Sequence, residues 1–459
     1  MRLATVFWQA EMIETALSQD DLYVDITFAQ VLDEHGLQAS SEDFAALLKE
    51  AEYPLWHANL AARRALRRGV PATLSGLPQY NIHAHDIDFQ IESDFIGLMS
   101  PGLPAASNEL ALRAGRVVNH GDGIYGGMFI SAMYASAFFS NEPVDIVKAG
   151  LAVLPPESDY ASLIADVVAW WQEYPEDWQL NWQRIHDKWN RGEMCPEGVL
   201  QPFNIDASIN GAYVALGLLY GKGDFEQTML ISTRAGQDSD CNPSNALGIL
   251  GVVLGFDGIP PKFTSALESI ADKKFSYTSY SYNDIVDSSF RRALNLVRQE
   301  GGHADEKNVY VPVQKAKAAD LQYSMALASV KEEIPFTDQR WQWQGQWRAS
   351  PMKIWRYTHE SMISETEGAK ATIAFEGSGV VIKGILLPDG GKLDVLLDNK
   401  LIQTVDVYSD EDNAKPQEGL WHRFDLAEGK HELTLKVRGE SYPGSSGKAI
   451  SISSLLVYE

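Results

Sequence analysis

From Leu22 onward the apolar positions Val24, Phe28, Val31 and Leu32 recur at i, i+4, i+7 and i+8, which places them on one stripe of a helix. Gly36 follows that stripe, where a helix end calls for a left-handed residue. The same reading predicts helices over 127–139, 161–171, 206–220 and 224–235, with Asp206 and Asp224 as N-caps and Gly221 and Gly236 as stops. After Phe336 the period changes to two. Leu393, Val395 and Leu397 alternate with Asp394, Leu433, Leu435 and Val437 alternate with Thr434 and Lys436, and Ile450 and Ile452 stand between serines. Turn clusters at 388–391 and 443–446 separate these runs, as short antiparallel strands require. Between the two patterns lies Gly301-Gly302 and a charged, Lys- and Ala-rich stretch. The expected architecture is therefore an all-α body over 1–300, a linker over 301–335 and a jelly-roll-like all-β sandwich over 336–459.

A length of 459 residues suits two cores better than one. With 38 basic against 62 acidic residues the formal net charge is −24, and no local basic patch opposes it, so a nucleic-acid partner is not expected. Cys195 and Cys241 make neither a disulfide framework nor a zinc spacing. Apolar runs such as 246–255 fall short of the roughly 20 residues of a membrane span. Residues 1–17 show no basic start, apolar core and small-residue cleavage site. The chain as given reads as soluble and cytoplasmic, and an upstream leader would make it periplasmic or secreted.

Two acidic clusters change the picture. Ser18-Gln19-Asp20-Asp21 opens the first helix, with Asp25 one turn on along the face of Asp21. Adjacent carboxylates repel, so a fold that holds them together supplies a cation or lets one take a proton. A simple helix cap is the alternative, since aspartate is favoured at a helix start. The second cluster, Gly236-Gln237-Asp238-Ser239-Asp240-Cys241-Asn242-Pro243, lies between a helix stop and a new helix expected to begin at Pro243. An Asp-x-Asp pair on such a turn aims two oxygens at one point, and oxygen ligands suit magnesium, manganese or calcium. A capping turn is again the alternative. The helix that follows carries Gly248, Gly251 and Gly255 in an apolar run, so it is expected to pack tightly against a neighbour.

An Asp-Asp pair heading an early helix, and Gly-x-Asp-Ser-Asp before a glycine-containing apolar helix, resemble the two metal signatures of the ADP-ribosylglycohydrolase family, usually written TDDT and GGDTDT. The stretches 86–94, 119–127 and 203–206 also look like that family, and the likeness runs from about Ser18 to about Arg298. The resemblance implies an all-α catalytic domain of that type. It implies further that Asp20, Asp21, Asp238 and Asp240 hold a pair of magnesium ions, with Cys241 at the position of the family's hydroxyl ligand. Such a centre binds the vicinal hydroxyls of a sugar and positions water for attack on the anomeric carbon. Asp20, Asp21 or Asp240 would take the water's proton. Gln19 stands where the family has threonine, Cys241 where it has threonine or serine, and a thiol is a soft ligand for magnesium. Only about 19 residues precede the first signature, where the family has a glycine-rich opening helix, so a truncated start is expected.

Glu92 and Asp94 are candidates for the sugar pocket, against the reading of a solvated helix face. His120, Gly121, Asp122, Gly123 and Tyr125 lie in a glycine-rich loop that lets backbone approach a ligand, or else form a tight interhelix turn. Asn204 and Asp206 reach the pocket or cap a helix. His83, His85 and Asp86 read as a surface turn, and Trp170, Trp171, Trp178 and Trp182 as packing. Trp341, Trp343, Trp347 and Trp355 offer sugar-stacking faces in the β domain, with buried packing as the alternative. The implied activity is hydrolysis of a glycosidic bond to ADP-ribose or a related ribosyl group. A nucleotide diphosphate needs positive groups or helix N-termini, which are not evident around these motifs. The alternatives are therefore a glycosidase for a non-nucleotide carbohydrate, or a catalytically silent sugar-binding relative.

Overall fold

The computed structural model describes residues 10–192, 194–322 and 329–459. The chain divides into two units, Met1–Arg191 with Asn204–Tyr323, and Gly192–Phe203 with Ser324–Glu459.

The first unit is helical. Its elements are α1 (Asp20–His35), α2 (Ser41–Glu50), α3 (His57–Arg67), α4 (Asp88–Ile91), α5 (Asp94–Leu98), α6 (Pro104–Gly115), α7 (Asp122–Ala137), α8 (Pro143–Leu151), α9 (Asp159–Glu173), α10 (Trp178–Trp189), α11 (Ala207–Gly221), α12 (Phe225–Ala235), α13 (Cys241–Leu254), α14 (Pro261–Thr264) and α15 (Tyr282–Gln299). Side-chain oxygens satisfy the free N–H groups at several of their starts. Asp206 accepts from Ser208 N–H and Asp224 from Gln227 N–H, as expected of N-caps, and Ser281 with Asp284 forms a capping box on α15. Gly36 ends α1 with φ +83° and donates to the Leu32 carbonyl at 2.9 Å.

Helices α7 and α11 are buried almost all round and form the centre of the unit, with α7 against α4, α5, α6 and α8, and α11 against α9, α12 and α13. Helix α13 crosses α7 at Gly248, where an added Cβ would lie 1.9 Å from the Tyr134 hydroxyl. That is the tight packing expected of the glycine-bearing helix. It holds at Gly248 alone, since Gly251 meets Ile259 at an ordinary 3.6 Å and Gly255 has open space around it. The helix begins at Cys241, two residues before the expected Pro243. Proline is tolerated there because first-turn N–H groups have no intrahelical partner in any case.

The stretch expected as a linker is divided. His303–Ala304 (β1) pairs with Val309–Tyr310 (β2), and the strap 311–322 runs along the helices of the first unit, with Gln314 N–H donating to the Gly102 carbonyl and Ala319 N–H to Val153, each at 2.9 Å. Those partners order a polar segment that has no periodic pattern of its own.

The second unit holds two antiparallel sheets made of β3 (Val330–Pro335), β4 (Gln342–Gln344), β5 (Arg348–Ile354), β6 (Tyr357–Ser364), β7 (Lys370–Gly377), β8 (Gly379–Leu386), β9 (Gly391–Leu397), β10 (Lys400–Asp406), β11 (Lys415–Arg423), β12 (Gly429–Ser441) and β13 (Ile450–Tyr458). The sheet orders are β10-β9-β12-β7-β4 and β11-β8-β13-β6-β5, with β3 beside β13, and together they form a β-sandwich. The alternation read in the sequence sets the register. Leu393, Val395 and Leu397 pair with Val437, Leu435 and Leu433, all buried. Trp341 is buried and stacks on Trp343, whereas Trp355 is exposed at the β5–β6 turn.

Replacing Gly248 by alanine is expected to force α13 away from Tyr134 and to cost about 1–3 kcal/mol of unfolding free energy, read by denaturant titration. An unchanged midpoint would contradict the close crossing.

Candidate metal centre and substrate loop

Asp20 and Asp21 occupy the first turn of α1, where unpaired N–H groups and the helix dipole favour negative charge. Asp238 and Asp240 lie on the turn into α13, and Asp240 is its N-cap residue. Asn210 of α11 holds that turn from behind. Its Oδ1 accepts from Asp238 N–H at 3.1 Å and from Asn242 Nδ2 at 2.8 Å, while its Nδ2 donates to the Asp206 carbonyl at 2.9 Å. Asp238 folds its carboxylate back onto the helix start and accepts from Cys241 N–H at 3.2 Å.

The two turns meet. Cys241 Sγ donates to Asp21 Oδ2 at 3.1 Å, across 220 positions of sequence. Asp238, Asp240 and Cys241 each present a ligand atom, and these lie within 4.8 Å of one another. Burial raises the Asp20 carboxyl, with repulsion from Asp240 adding to it. Asp21 is pushed up to about 8 by burial and by Asp20, against the opposing Cys241 hydrogen bond. Asp238 rises to about 6, again chiefly through burial. Burial and the surrounding aspartates also raise the Cys241 thiol, so Sγ keeps its proton and acts as a donor. Asp240 itself is exposed, at the mouth of the cluster.

Beneath it lies a second tier. Desolvation and the neighbouring Asp94 push Asp25 well above the carboxylate range, opposed by the Phe95 N–H, and Asp25 Oδ1 has no hydrogen-bond partner. Glu92 is buried, not part of a solvated face. One of its oxygens accepts from Asn59 Nδ2, and Oε2 has no partner. Asp88 accepts from Asn59 N–H at 2.9 Å. Asp94 is tied at both oxygens, to Tyr134 Oη at 2.8 Å and to Asn245 Nδ2 at 2.9 Å, and burial still raises it to about 7. Asp94 thereby couples α5 to α7 and α13.

The glycine-rich loop is bonded to the turn at 83–88. Asn119 Nδ2 donates to the carbonyls of Ala84 at 3.0 Å and Asp86 at 2.8 Å, which stitches the loop to the 83–88 turn. That turn is interior, not at the surface: His83 Nδ1 lies 2.8 Å from Asp86 Oδ2 and both side chains are buried. His120 N–H donates to the Ala84 carbonyl at 3.0 Å, and Gly121 takes φ +53°, with His85 Nε2 3.3 Å from where a Cβ would stand. A Cβ on Gly123 would press on the Ala84 carbonyl at 2.4 Å, so this residue serves close packing. Burial, with Asp206 and Asp159 beside it, pushes Asp122 up to about 8. Asp206 caps α11, yet burial raises its carboxyl as well, opposed by His85. Asn204 Oδ1 accepts from Asp206 N–H at 2.9 Å and its Nδ2 donates to Asn190 at 2.7 Å. Gly121 N–H donates to Gln322 Oε1 at 2.9 Å, and Tyr125 Oη accepts from Gln322 N–H at 2.6 Å. Both residues therefore face the strap. His57 acts electrostatically on both Asp20 and Asp88, and its ring lies 5.5 Å from that of His83.

Sequence reasoning missed Asn59, Asn210, Asn245 and Gln322, and marked Asp88 only as part of the family-like stretch 86–94. Only Asn245 left a local sign, one turn beyond Cys241 on α13.

The family model described as ADP-ribosylglycohydrolase matches residues 5–302. This chain belongs to the ADP-ribosylglycohydrolase family. Membership gives its helical unit the fold of that family and a glycohydrolase-type function, that of a hydrolase acting on glycosidic bonds. No curated protein matches the chain. Among solved structures, it is similar to the CBM36-1 domain of a multidomain xylanase from the hindgut metagenome of Trinervitermes trinervoides, at 10% identity and TM-score 0.20 over 27% of this chain and 94% of that one. It is also similar to the catalytic domain of Agl-KA, at 12% identity and TM-score 0.20 over 30% and 29%. A two-domain esterase (CEX) active on acetylated mannans aligns at 11% identity and TM-score 0.26 over 66% and 86%.

The raised carboxyls of this glycohydrolase unit set a pH dependence. A carboxyl that binds its proton more tightly when folded contributes stability that is full below an unfolded value of about 4 and is lost as pH rises through its folded value. For Asp122 that window ends near about 8. In chelator, Asp122→Asn is expected to melt with wild type at about pH 3.5, to rise progressively above it as pH increases, and to reach its full advantage at about pH 8.5. Parallel curves across that range, in a thermal melt series, would contradict the raised carboxyl.

Proposed function

We propose that this chain hydrolyses a glycosidic bond to ADP-ribose or a related ribosyl group, using water positioned at divalent cations held by Asp20, Asp21, Asp238 and Asp240. The observation that carries the reading is the 3.1 Å approach of Cys241 Sγ to Asp21 Oδ2, which brings two acidic turns to one point.

The residues fit such a cation. The donor set is carboxylate oxygen, the ligand class of magnesium and manganese, and the orphaned oxygens of Asp25 and Glu92 lie among the carboxylates behind it. The proposed metal is magnesium, as two ions, on the strength of the family resemblance. When bound, such ions lower the pKa of a coordinated water and hold sugar hydroxyls.

The chain's own groups supply the rest. Asp240, exposed at the mouth, takes the proton of the attacking water. Asp20 and Asp21 face the positive charge that develops at the anomeric carbon. Cys241 sits at the family's hydroxyl position and orients Asp21 through its Sγ–H, while Asn210 fixes the turn that carries Asp238. A second reading, hydrolysis of a non-nucleotide carbohydrate by the same residues, is favoured by the carboxyls of Asp122, Asp159 and Asp206 gathered at the substrate loop.

Release of ADP-ribose and of ribose from a panel of ADP-ribosylated and plain ribosides, with magnesium or manganese and with a chelator, tests the activity. Chelation is expected to abolish turnover, and Asp21→Asn or Asp238→Asn to lower kcat/KM by about 10²–10³-fold. Turnover that survives chelation, or full activity in both variants, would overturn the reading.

A further inference from the structure

Cys241 puts a thiol where the family signature has a hydroxyl, and the fold surrounds that sulfur with carboxylates. Sγ lies 3.1 Å from Asp21 Oδ2, and Asp238, Asp240 and Cys241 each offer a ligand atom within 4.8 Å of the others. Asp21, Asp238 and Asp240 all act on the thiol electrostatically. The tier behind is short of donors. Asn245 follows Cys241 by one turn of α13 and is 1% exposed, yet its Oδ1 has no hydrogen-bond partner among the described residues. The same holds of Asp25 Oδ1, one turn along α1 from Asp21. Asp94 joins these residues, accepting from Asn245 Nδ2 at 2.9 Å and acting electrostatically on Asp25. Buried oxygens left without a donor call for a positive group close by.

The donor types decide which cation suits the position at Cys241. Magnesium is a hard ion that takes oxygen ligands and keeps several waters, so it gains nothing from a sulfur. Zinc binds thiolate and carboxylate together in tetrahedral sets, and Cys241 with Asp21, Asp238 and Asp240 offers such a set. The exchange balances in protons: the Sγ–H bond breaks, a sulfur–metal bond forms, and the proton leaves to solvent. A serine or threonine hydroxyl at 241 would be a hard ligand and would give no such selectivity.

We infer that Cys241 is a metal ligand, and that the position it shares with Asp21, Asp238 and Asp240 selects a thiophilic divalent cation of the zinc class over magnesium. The inference rests on the divalent centre proposed above and deepens it, since it concerns one of the two cation positions and the side chain in which this chain departs from the family signature.

Cobalt(II), a coloured stand-in for zinc, titrated into the full chain reports sulfur ligation directly through the near-ultraviolet charge-transfer absorption of a cobalt–thiolate bond. The wild type is expected to show that absorption, and Cys195→Ser, in which Cys241 is the remaining cysteine, to keep it. Cys241→Ser restores a hydroxyl and is expected to lose the absorption. It is also expected to narrow the preference for zinc over magnesium at least about tenfold, read by competition calorimetry. Magnesium affinity is expected to stay within about twofold of wild type in that variant, which separates loss of the ligand from misfolding. No charge-transfer absorption in the wild type, its loss in Cys195→Ser, or an unchanged metal preference in Cys241→Ser overturns the inference. Neither readout needs turnover. A chain that shows the absorption and hydrolyses nothing would count against the proposed activity alone, and magnesium-dependent hydrolysis without the absorption would count against the sulfur ligand alone.

Discussion

Everything in the helical unit turns on holding like charges together. Asp20 and Asp21 project from the start of α1, and Asp238 and Asp240 from the start of α13. Asp25 and Glu92 lie among the same carboxylates. Carboxylates so placed repel, and burial amplifies the repulsion by removing water. The groups that oppose it include the backbone N–H groups of the first turn of α1 and of Phe95, the Cys241 thiol, the Asn59 amide and the more distant His57 and Arg292. The fold tolerates this because the supports are rigid. Asn210 pins the second turn, Gly248 lets α13 lie directly on Tyr134, and Tyr134 with Asn245 fixes Asp94 at both oxygens. The proposed cation would enter a site whose supports are already in place.

Much of this was readable before any coordinates. Where local chemistry decides the outcome, the chain announces it: Asp206 and Asp224 cap helices, Gly36 and Gly236 end them, and the alternation at 393–397 and 433–437 yields two strands whose buried residues stand opposite one another. The acidic turns were visible because two signatures of unusual charge density interrupt otherwise apolar patterns. Roles set by a distant partner left no such trace. Asn210 lies inside an apolar helix, and only contact with the 238–242 turn gives its amide a purpose. Helices α4 and α5 are too short to show a period. Pro243 misled because proline is permitted anywhere in a first turn, not only at its first position. Glu92, a sugar-pocket candidate weighed against a solvated helix face, is buried with its carboxylate against Asn59 of α3, a partner that no local pattern announces.

The strap shows the same limit from another side. Its composition is that of a linker, and its order comes from the helix starts it covers. The glycines of 119–127 bring backbone close to the turn at 83–88, but the amide they expose at Gly121 is already taken. The acidic turns and the covered helix starts are thus separate features of the helical unit, carried by different residues.

The central claim is that four aspartates from two helix starts share divalent cations. Manganese soaked into crystals of the full chain, located by anomalous scattering, tests it most directly. The account predicts density within about 2.2 Å of carboxylate oxygens from both turns, Asp20 or Asp21 on one side and Asp238 or Asp240 on the other. Manganese bound to one turn only, or found elsewhere while both turns stay bare, would contradict it.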